Sequence, residues 1–241
     1  MNEFNPHMIL VCGYSATGKS MSLRNIKNQE KWYLLNTEAG KFPPFKHRFQ
    51  HYRVSDPWQV PDAFDHGKDD KDCEGIVVDS LTFLMDMFET QYVLTAADSR
   101  KAWGDFQQFF KELMQKKVVE FNKPTIFIAH VSDTIDEKNM EMKTCVPIKG
   151  ALKGTGVEAY FSTVVAAKRV ALKDLEKFQN DLLHITDEEK ELGFKYVFQT
   201  RLTKDSLGER IRSPFGMFSK EETYIDNDFQ ILLNHLNEFY N

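Results

Sequence analysis

Short, continuously apolar runs alternate along this chain with stretches in which apolar residues recur every three or four positions. That alternation predicts strands separated by helices. Met8-Ile9-Leu10-Val11-Cys12 reads as a buried strand, followed by a helix from Lys19 to Asn28. Trp32-Tyr33-Leu34-Leu35 is a second strand, ending at Asn36-Thr37-Glu38, and a segment around Pro43-Pro44 leads into a third strand from Phe49 to Val54. Asp62 to Glu74 is dense in charge and reads as a helix end and loop. Gly75-Ile76-Val77-Val78-Asp79 is a strand that closes on an acid. Two helical stretches follow; in the second, Phe106, Phe109, Phe110, Leu113 and Met114 form a core-facing stripe. Pro124 to Val131 gives another strand, and Asp133 to Pro147, around Asn139, reads as a hairpin or a loop.

Thr163 to Leu172 and Lys195 to Leu202 are further strands, separated by a charged, helix-prone insertion at 173–193. An amphipathic helix closes the chain within 227–241, with Phe229, Leu232, Leu233, Leu236 and Phe239 on one side. Strands alternating with helices imply a mostly parallel sheet joined by right-handed crossovers, in a three-layer α/β fold. The strand-rich C-terminal side predicts antiparallel additions. A chain of 241 residues can form one large domain or two small ones. It contains no internal repeat, low-complexity tract or Gly/Ser linker, which favours a single domain over 1–241.

The turn after the first strand carries the first chemistry. Gly13-Tyr14-Ser15-Ala16-Thr17-Gly18-Lys19-Ser20 is a complete G-x-x-x-x-G-K-[ST] phosphate loop, placed between a strand and a helix as such a loop must be. The fixed residue types would fall at this spacing by chance in roughly one chain in a hundred. Backbone N–H groups of the turn, with Met21 next in line, can wrap phosphate at a helix N-terminus. Lys19 would reach the β- and γ-phosphates and the Ser20 hydroxyl would ligate Mg²⁺, so a nucleoside triphosphate and Mg²⁺ are the expected cofactors.

Three further residues sit where such a site would need them. Asp79 ends its strand and is followed by Ser80, the expected form of the acid that holds the Mg²⁺ shell through water; Ser80 doubles as a helix N-cap. Glu38 ends the strand after the loop's helix, so its carboxylate would emerge at the edge where ligands bind and could polarise the attacking water. His130 ends the strand Ile126 to Ala129 on that edge, where it could bond the γ-phosphate and report its presence to the following loop.

Composition narrows the partners. The formal net charge of −5 does not advertise nucleic acid, which leaves only a local patch. Lys41, Lys46, Arg48 and Arg53 fall in a stretch without acids, interleaved with Phe45, His47, Phe49, His51 and Tyr52. Its plain alternative is a solvated basic strand. Cys12, Cys73 and Cys145 lie far apart without a C-x-x-C pair, which points to a reducing compartment. No apolar run spans a membrane and no secretory signal opens the chain, so a cytoplasmic protein without a membrane partner is expected.

Taken together, Asn-Thr-Glu38 after the first crossover, Val-Val-Asp79-Ser80 and a polar residue ending the next strand resemble the RecA-type P-loop ATPase core. Asn36-Thr37-Glu38-Ala39-Gly40-Lys41 and the stretch Thr203 to Pro214 resemble, more narrowly, short phage RecA-like proteins of the single-strand annealing group. The resemblance spans roughly Met8 to Phe218. It implies ATP bound between subunits of a homo-oligomeric ring or filament, and single-stranded DNA held by loops at Ser132–Val146 and Lys149–Gly156. Lys149 and Lys153 then match the phosphate contacts, and a single-strand-binding protein becomes a further partner. It also implies a basic residue inserted from a neighbouring subunit toward the γ-phosphate; Lys204, Arg210 and Arg212 lie in that element. The chain departs from the family in carrying His130 where an amide is usual and in lacking a closely spaced basic pair, so the choice among the three stays open.

The function expected is therefore a DNA-stimulated, Mg²⁺-dependent ATPase that promotes annealing or recombination. Two alternatives share the loop: a nucleotide-responsive binding module with incidental turnover, and a small-molecule kinase, for which no Arg-rich lid is evident. A GTPase is disfavoured because Asn122-Lys123-Pro124-Thr125 lacks the acid that would read guanine.

Overall fold

The computed structural model describes residues 4–137, 140–153 and 156–240, with the side chains of Ala151 and Lys153 outside that description. Its centre is an eight-stranded sheet. In chain order the strands are β1 (Met8–Gly13), β2 (Trp32–Asn36), β3 (Gln50–Arg53), β4 (Gly75–Asp79), β5 (Thr125–His130), β8 (Thr163–Ala171), β9 (Phe194–Gln199) and β10 (Tyr224–Asp226). A separate two-stranded hairpin is formed by β6 (Ser132–Asp136) and β7 (Glu141–Cys145). Across the main sheet the order is β10-β9-β8-β1-β5-β4-β2-β3. Strands β3, β2, β4, β5, β1 and β8 run parallel; β9 adds antiparallel to β8, and β10 adds antiparallel to β9. The fold is thus a three-layer α/β P-loop architecture with a mostly parallel sheet, and the predicted antiparallel additions lie on the C-terminal side.

Register explains why one sheet edge collects the chemistry. Gly13 pairs with His130, and Asn36 pairs with Asp79. The phosphate loop, Glu38, Asp79 and His130 therefore leave the sheet at the same carboxyl edge. The acid-bearing β4 is separated from the loop-bearing β1 by β5.

Both faces of β1 are covered, which is why it reads as an unbroken apolar run. Leu10 and Cys12 face a core packed by α1 (Gln59–Asp69), α2 (Leu81–Phe88), α3 (Ser99–Glu112) and α4 (Val118–Phe121). Phe88 anchors this layer, with ring centroids 4.7 Å from Phe109 and 5.5 Å from Phe106. Burying each such ring is worth about 1.5–3 kcal/mol. Ile9 and Val11 face the other core, closed by Leu23 and by the terminal helix α7 (Phe229–Tyr240). Between β8 and β9, α5 (Leu172–Leu175) and α6 (Asp187–Leu192) form the charged insertion, where Leu175 and Leu183 pack on Val197.

Several expectations are adjusted. The helix after the phosphate loop is a 3-10 turn over Ser20–Asn25, not a helix to Asn28. Asn25 is drawn onto Asp228, the Lys27 amide donates to Gln230 and Asn28 is left-handed, so α7 ends the turn early. The charged stretch from Asp62 lies largely inside α1, which begins at Gln59. Beyond Gln199 the chain leaves β9, and Thr200 bonds across to Thr223 instead. Phe239 continues the α7 stripe three residues past Leu236, but in the last turn of the helix it is 40% exposed. Within the stretch expected as a hairpin or loop, Ser132–Asp136 and Glu141–Cys145 pair as a hairpin, held by Thr144 N–H donating to Gly208 O at 2.9 Å, and Asn139 lies outside the described residues. A Cβ on Gly208 would come within 2.0 Å of the Met142 carbonyl oxygen, so only glycine permits this docking. No helix among the described residues is long and apolar enough to cross a membrane.

Candidate functional site: the phosphate loop and its acids

The phosphate loop is shaped by backbone that most side chains disfavour. Ala16 and Gly18 both have positive φ, at 62° and 84°. Gly13 is required for a different reason: a Cβ there would lie 2.6 Å from Thr17 Oγ1 and 2.7 Å from the Ala167 carbonyl oxygen. Inside the loop, Lys19 Nζ donates to the carbonyls of Gly13 at 2.9 Å and Tyr14 at 2.6 Å. Lys19 is buried, and burial pulls its pKa down to about 8 against the opposing pull of Asp79 and Glu38. A poorly solvated ammonium on the loop's own carbonyls is poised to exchange them for phosphate oxygens.

Ser20 Oγ donates to Asp79 Oδ2 at 2.8 Å. Burial is the main cause that pushes the Asp79 carboxyl up to about 6, with Glu38 adding to it and the Ser20 hydrogen bond opposing. Its second oxygen, Oδ1, is buried with no hydrogen-bond partner among the described residues. An orphaned carboxylate oxygen beside a hydroxyl and the phosphate loop fits Mg²⁺ and its water shell. Among the described residues no cluster of three or more His, Cys, Asp or Glu could hold a metal by itself. Ser20 and Asp79 are the sparse kind of protein donor set that a Mg²⁺ completed by phosphate and water would use.

Glu38 is positioned by a braced turn. Its amide donates to Asn36 Oδ1 at 2.9 Å, and Thr37 is tied to β4 by its N–H to Asp79 O and its hydroxyl to Ser80 O. Ser80 returns an N–H to Thr37 Oγ1 at 2.8 Å and caps α2, as its position after Asp79 predicts. The Glu38 carboxylate is bonded at both oxygens: Oε1 meets His130 Nε2 at 3.1 Å and Oε2 accepts from Lys41 at 3.1 Å. The His130 hydrogen bond, reinforced by Lys41, holds the Glu38 pKa down at about 2 despite burial. A carboxylate that acidic orients water well but takes a proton poorly. Its basicity rises as either partner lets go.

The basic residues divide. Arg212 Nη2 donates to the Glu158 carbonyl within its own chain. Glu209 pairs with Lys168 and with neither neighbouring arginine. Lys204 and Arg210 are exposed and make no ion pair among the described residues. Lys149 pairs with Glu89 at 2.8 Å, while the Lys153 side chain lies outside the described residues. In the basic stretch, Lys41 pairs with Glu38 and Arg48 with Glu30, which spends part of its charge internally.

Two features escaped the sequence reading. Tyr14 donates its hydroxyl to Asp133, which also accepts from Thr144 at 2.7 Å, so the phosphate loop is fastened to the hairpin. Lys41 holds Glu38, and an i,i+3 acid–base spacing was the available signal. Nothing in the sequence marks Tyr14 and Asp133 as a pair, since 119 positions separate them.

A glycine-bounded phosphate loop on β1, an acid-ending β4 one strand removed and a carboxylate from β2 on the same edge define a P-loop nucleotide-binding domain. Residues 5–192 match the family described as AAA domain, and the chain belongs to that family. Among solved structures, the crystal structure of the RadB recombinase is similar over 68% of this chain and 74% of that chain, at 16% identity and a TM-score of 0.39. At that level the likeness says nothing about what this chain does. No curated protein matches it in sequence.

Proposed function

We propose that this protein is a Mg²⁺-dependent ATPase that assembles as a homo-oligomer on single-stranded DNA and promotes annealing or recombination, in the manner of the phage proteins its sequence resembles. The observation that supports the reading best is the pair Ser20–Asp79 at 2.8 Å with one Asp79 oxygen unpartnered, set on the same edge as Glu38. Mg²⁺ at that pair would neutralise charge on the β- and γ-phosphates. Lys19 exchanges its loop carbonyls for phosphate oxygens. Glu38 orients the attacking water, and the proton passes to its carboxylate when His130 or Lys41 is displaced. Lys204 or Arg210, without an ion-pair partner among the described residues, supplies positive charge to a neighbouring subunit's γ-phosphate. The hairpin β6–β7, with Lys149 and Lys153 nearby in sequence, is the DNA-contacting region, alone or with a single-strand-binding protein.

The experiment is ATP hydrolysis with and without single-stranded DNA across a salt series, with particle size followed in the same samples. Stimulation that fades as salt rises, together with ATP-dependent assembly, is expected, because phosphate contacts release counterions. A monomer whose turnover ignores DNA would overturn the reading. A second reading, a nucleotide-responsive binding module with slow turnover, is favoured by the occupation of both Glu38 oxygens. It predicts DNA binding that depends on ATP but survives Glu38→Gln.

A further inference from the structure

Lys41 stands on a tight turn that brings its side chain back onto Glu38. Its N–H donates to Glu38 O at 2.9 Å, and Ala39 and Gly40 between them both have positive φ, at 50° and 82°. Left-handed backbone at both central residues is the mark of a type I′ turn. Asn36 fixes the returning chain: its Nδ2 donates to Lys41 O at 2.6 Å, while its Oδ1 accepts the Glu38 N–H. The backbone of Lys41 is thus held, whereas its side chain is 68% exposed and can swing on its flexible stem.

Ser20, Asn36, Glu38, Lys41 and Asp79 line one narrow cleft at the carboxyl edge of the sheet. Among the described residues of that cleft Lys41 is the single cation, and Lys204, Arg210 and Arg212 take no part in it. Burial dominates the pKa shifts of Asp79 and Lys19, and the Lys41 charge also acts on both, lowering each. Lys41 Nζ lies 3.1 Å from Glu38 Oε2, the oxygen that His130 does not engage. A γ-phosphate in this cleft carries more negative charge than one carboxylate, so it competes with Glu38 for the ammonium.

We propose that Lys41 is a catalytic residue within its own subunit, leaving Glu38 for the γ-phosphate when a triphosphate binds and so distinguishing ATP from ADP. This role rests on the phosphate loop holding ATP, and it adds a second cation beside Lys19. The exchange places positive charge on the transferring phosphoryl group and frees Glu38 Oε2 to accept a proton. The water oxygen bonds to the γ-phosphorus as the bond to the β–γ bridging oxygen breaks. ADP leaves with that electron pair, one water proton passes to Glu38 Oε2, and the other stays on inorganic phosphate. With ADP or no nucleotide, Lys41 returns to Glu38 and keeps it a poor base.

Calorimetric titration of ADP and of a non-hydrolysable ATP analogue, each with Mg²⁺, into wild-type protein and Lys41→Ala tests this. Lys41→Ala is expected to weaken the analogue at least about tenfold while ADP affinity stays within about twofold. The ADP titration also reports that the variant is folded with its phosphate loop intact. Loss of Lys41 leaves the Glu38 charge unopposed near the phosphate, so the comparison is repeated in a Glu38→Gln background. A direct contact still weakens the analogue at least about tenfold there; disappearance of the effect shows that Lys41 acts only through Glu38 and overturns the proposal. Turnover of Lys41→Ala should fall about a hundredfold. Unchanged or faster turnover would mark Lys41 as a mere restraint on Glu38. Mixing Lys41→Ala with Lys19→Ala should restore no turnover, because both lysines serve the same nucleotide; recovery would overturn the assignment to one subunit. Failure of the phosphate-loop reading would show instead as wild-type protein that binds neither ADP nor the analogue.

Discussion

Glu38 and His130, 92 positions apart in the chain, meet at 3.1 Å across the carboxyl edge of the sheet. The contact joins the carboxylate proposed to orient water with the strand end that feeds directly into the β6–β7 hairpin. Any ligand that draws His130 away leaves Glu38 more basic, and anything that moves the hairpin can act back on Glu38. Such coupling between nucleotide and hairpin must be reciprocal.

From this pair, Glu38→Gln is expected to lower turnover by about 10²–10³-fold while ATP affinity changes little, as befits loss of a water-orienting carboxylate. His130→Phe removes the hydrogen bond that contributes most to the acidity of Glu38, so the Glu38 pKa rises from about 2 toward its ordinary value. In that variant the difference in DNA affinity between nucleotide-free and ATP-bound protein should shrink. Steady-state turnover and DNA titrations with and without ATP check both statements; full turnover in Glu38→Gln would remove Glu38 from the mechanism.

Mg-ATP affinity should be greatest between about pH 6 and pH 8. The Asp79 carboxyl is raised to about 6, so below that pH it is protonated and a poor partner for Mg²⁺. Lys19 is lowered to about 8, so above that pH the loop loses its cation. Bound nucleotide and metal widen this window in the complex, by favouring the charged form of each group. Equilibrium binding from about pH 5 to about pH 10 reads out both limbs, and a flat profile would discard the pairing.

Much of this site was legible because its parts are local. The phosphate loop is contiguous, and Asp79 and Glu38 each end an apolar run whose strand character follows from composition alone. Parallel pairing then forces them onto one edge. What could not be read are relationships created by non-local packing. The fastening of Tyr14 to Asp133, the engagement of Arg212 by the Glu158 carbonyl and the early end of the loop's helix against α7 all depend on segments brought together only by the fold. Phe239 shows the complementary limit: spacing alone extends a stripe beyond the surface that buries it.

Stability should respond to Asp79 in the opposite sense to a typical paired carboxylate. Its folded pKa is raised above the ordinary value of 3.8, so the folded state holds the proton more tightly than the unfolded state. Stability attributable to this group therefore falls as pH rises from about 4 to about 6 and stays low above that. Asp79→Asn is expected to stabilise the nucleotide-free protein by about 2 kcal/mol at neutral pH, and by much less near pH 4. Denaturant melts at the two pH values measure the difference. The same variant should bind ATP without the usual gain from Mg²⁺.

Arg212 differs from its neighbours in having its guanidinium spent at home. Arg212→Ala leaves the Glu158 carbonyl without that donor and should cost about 1–2 kcal/mol of stability. Lys204→Ala and Arg210→Ala should leave stability nearly unchanged, since neither side chain makes an ion pair among the described residues. If one of them acts on a neighbour's nucleotide, its alanine variant loses turnover but keeps its own phosphate loop intact, whereas Lys19→Ala keeps the basic residue but loses its nucleotide. Mixing the two inactive proteins then creates interfaces with a complete loop from one subunit and a complete basic residue from the other. Turnover in the mixture should recover to a substantial fraction of the wild-type rate. Recovery with Arg210→Ala but not Lys204→Ala assigns the role to Lys204's neighbour in the segment, Arg210, and the reverse assigns it to Lys204. No recovery with either would show that hydrolysis is completed within a single subunit.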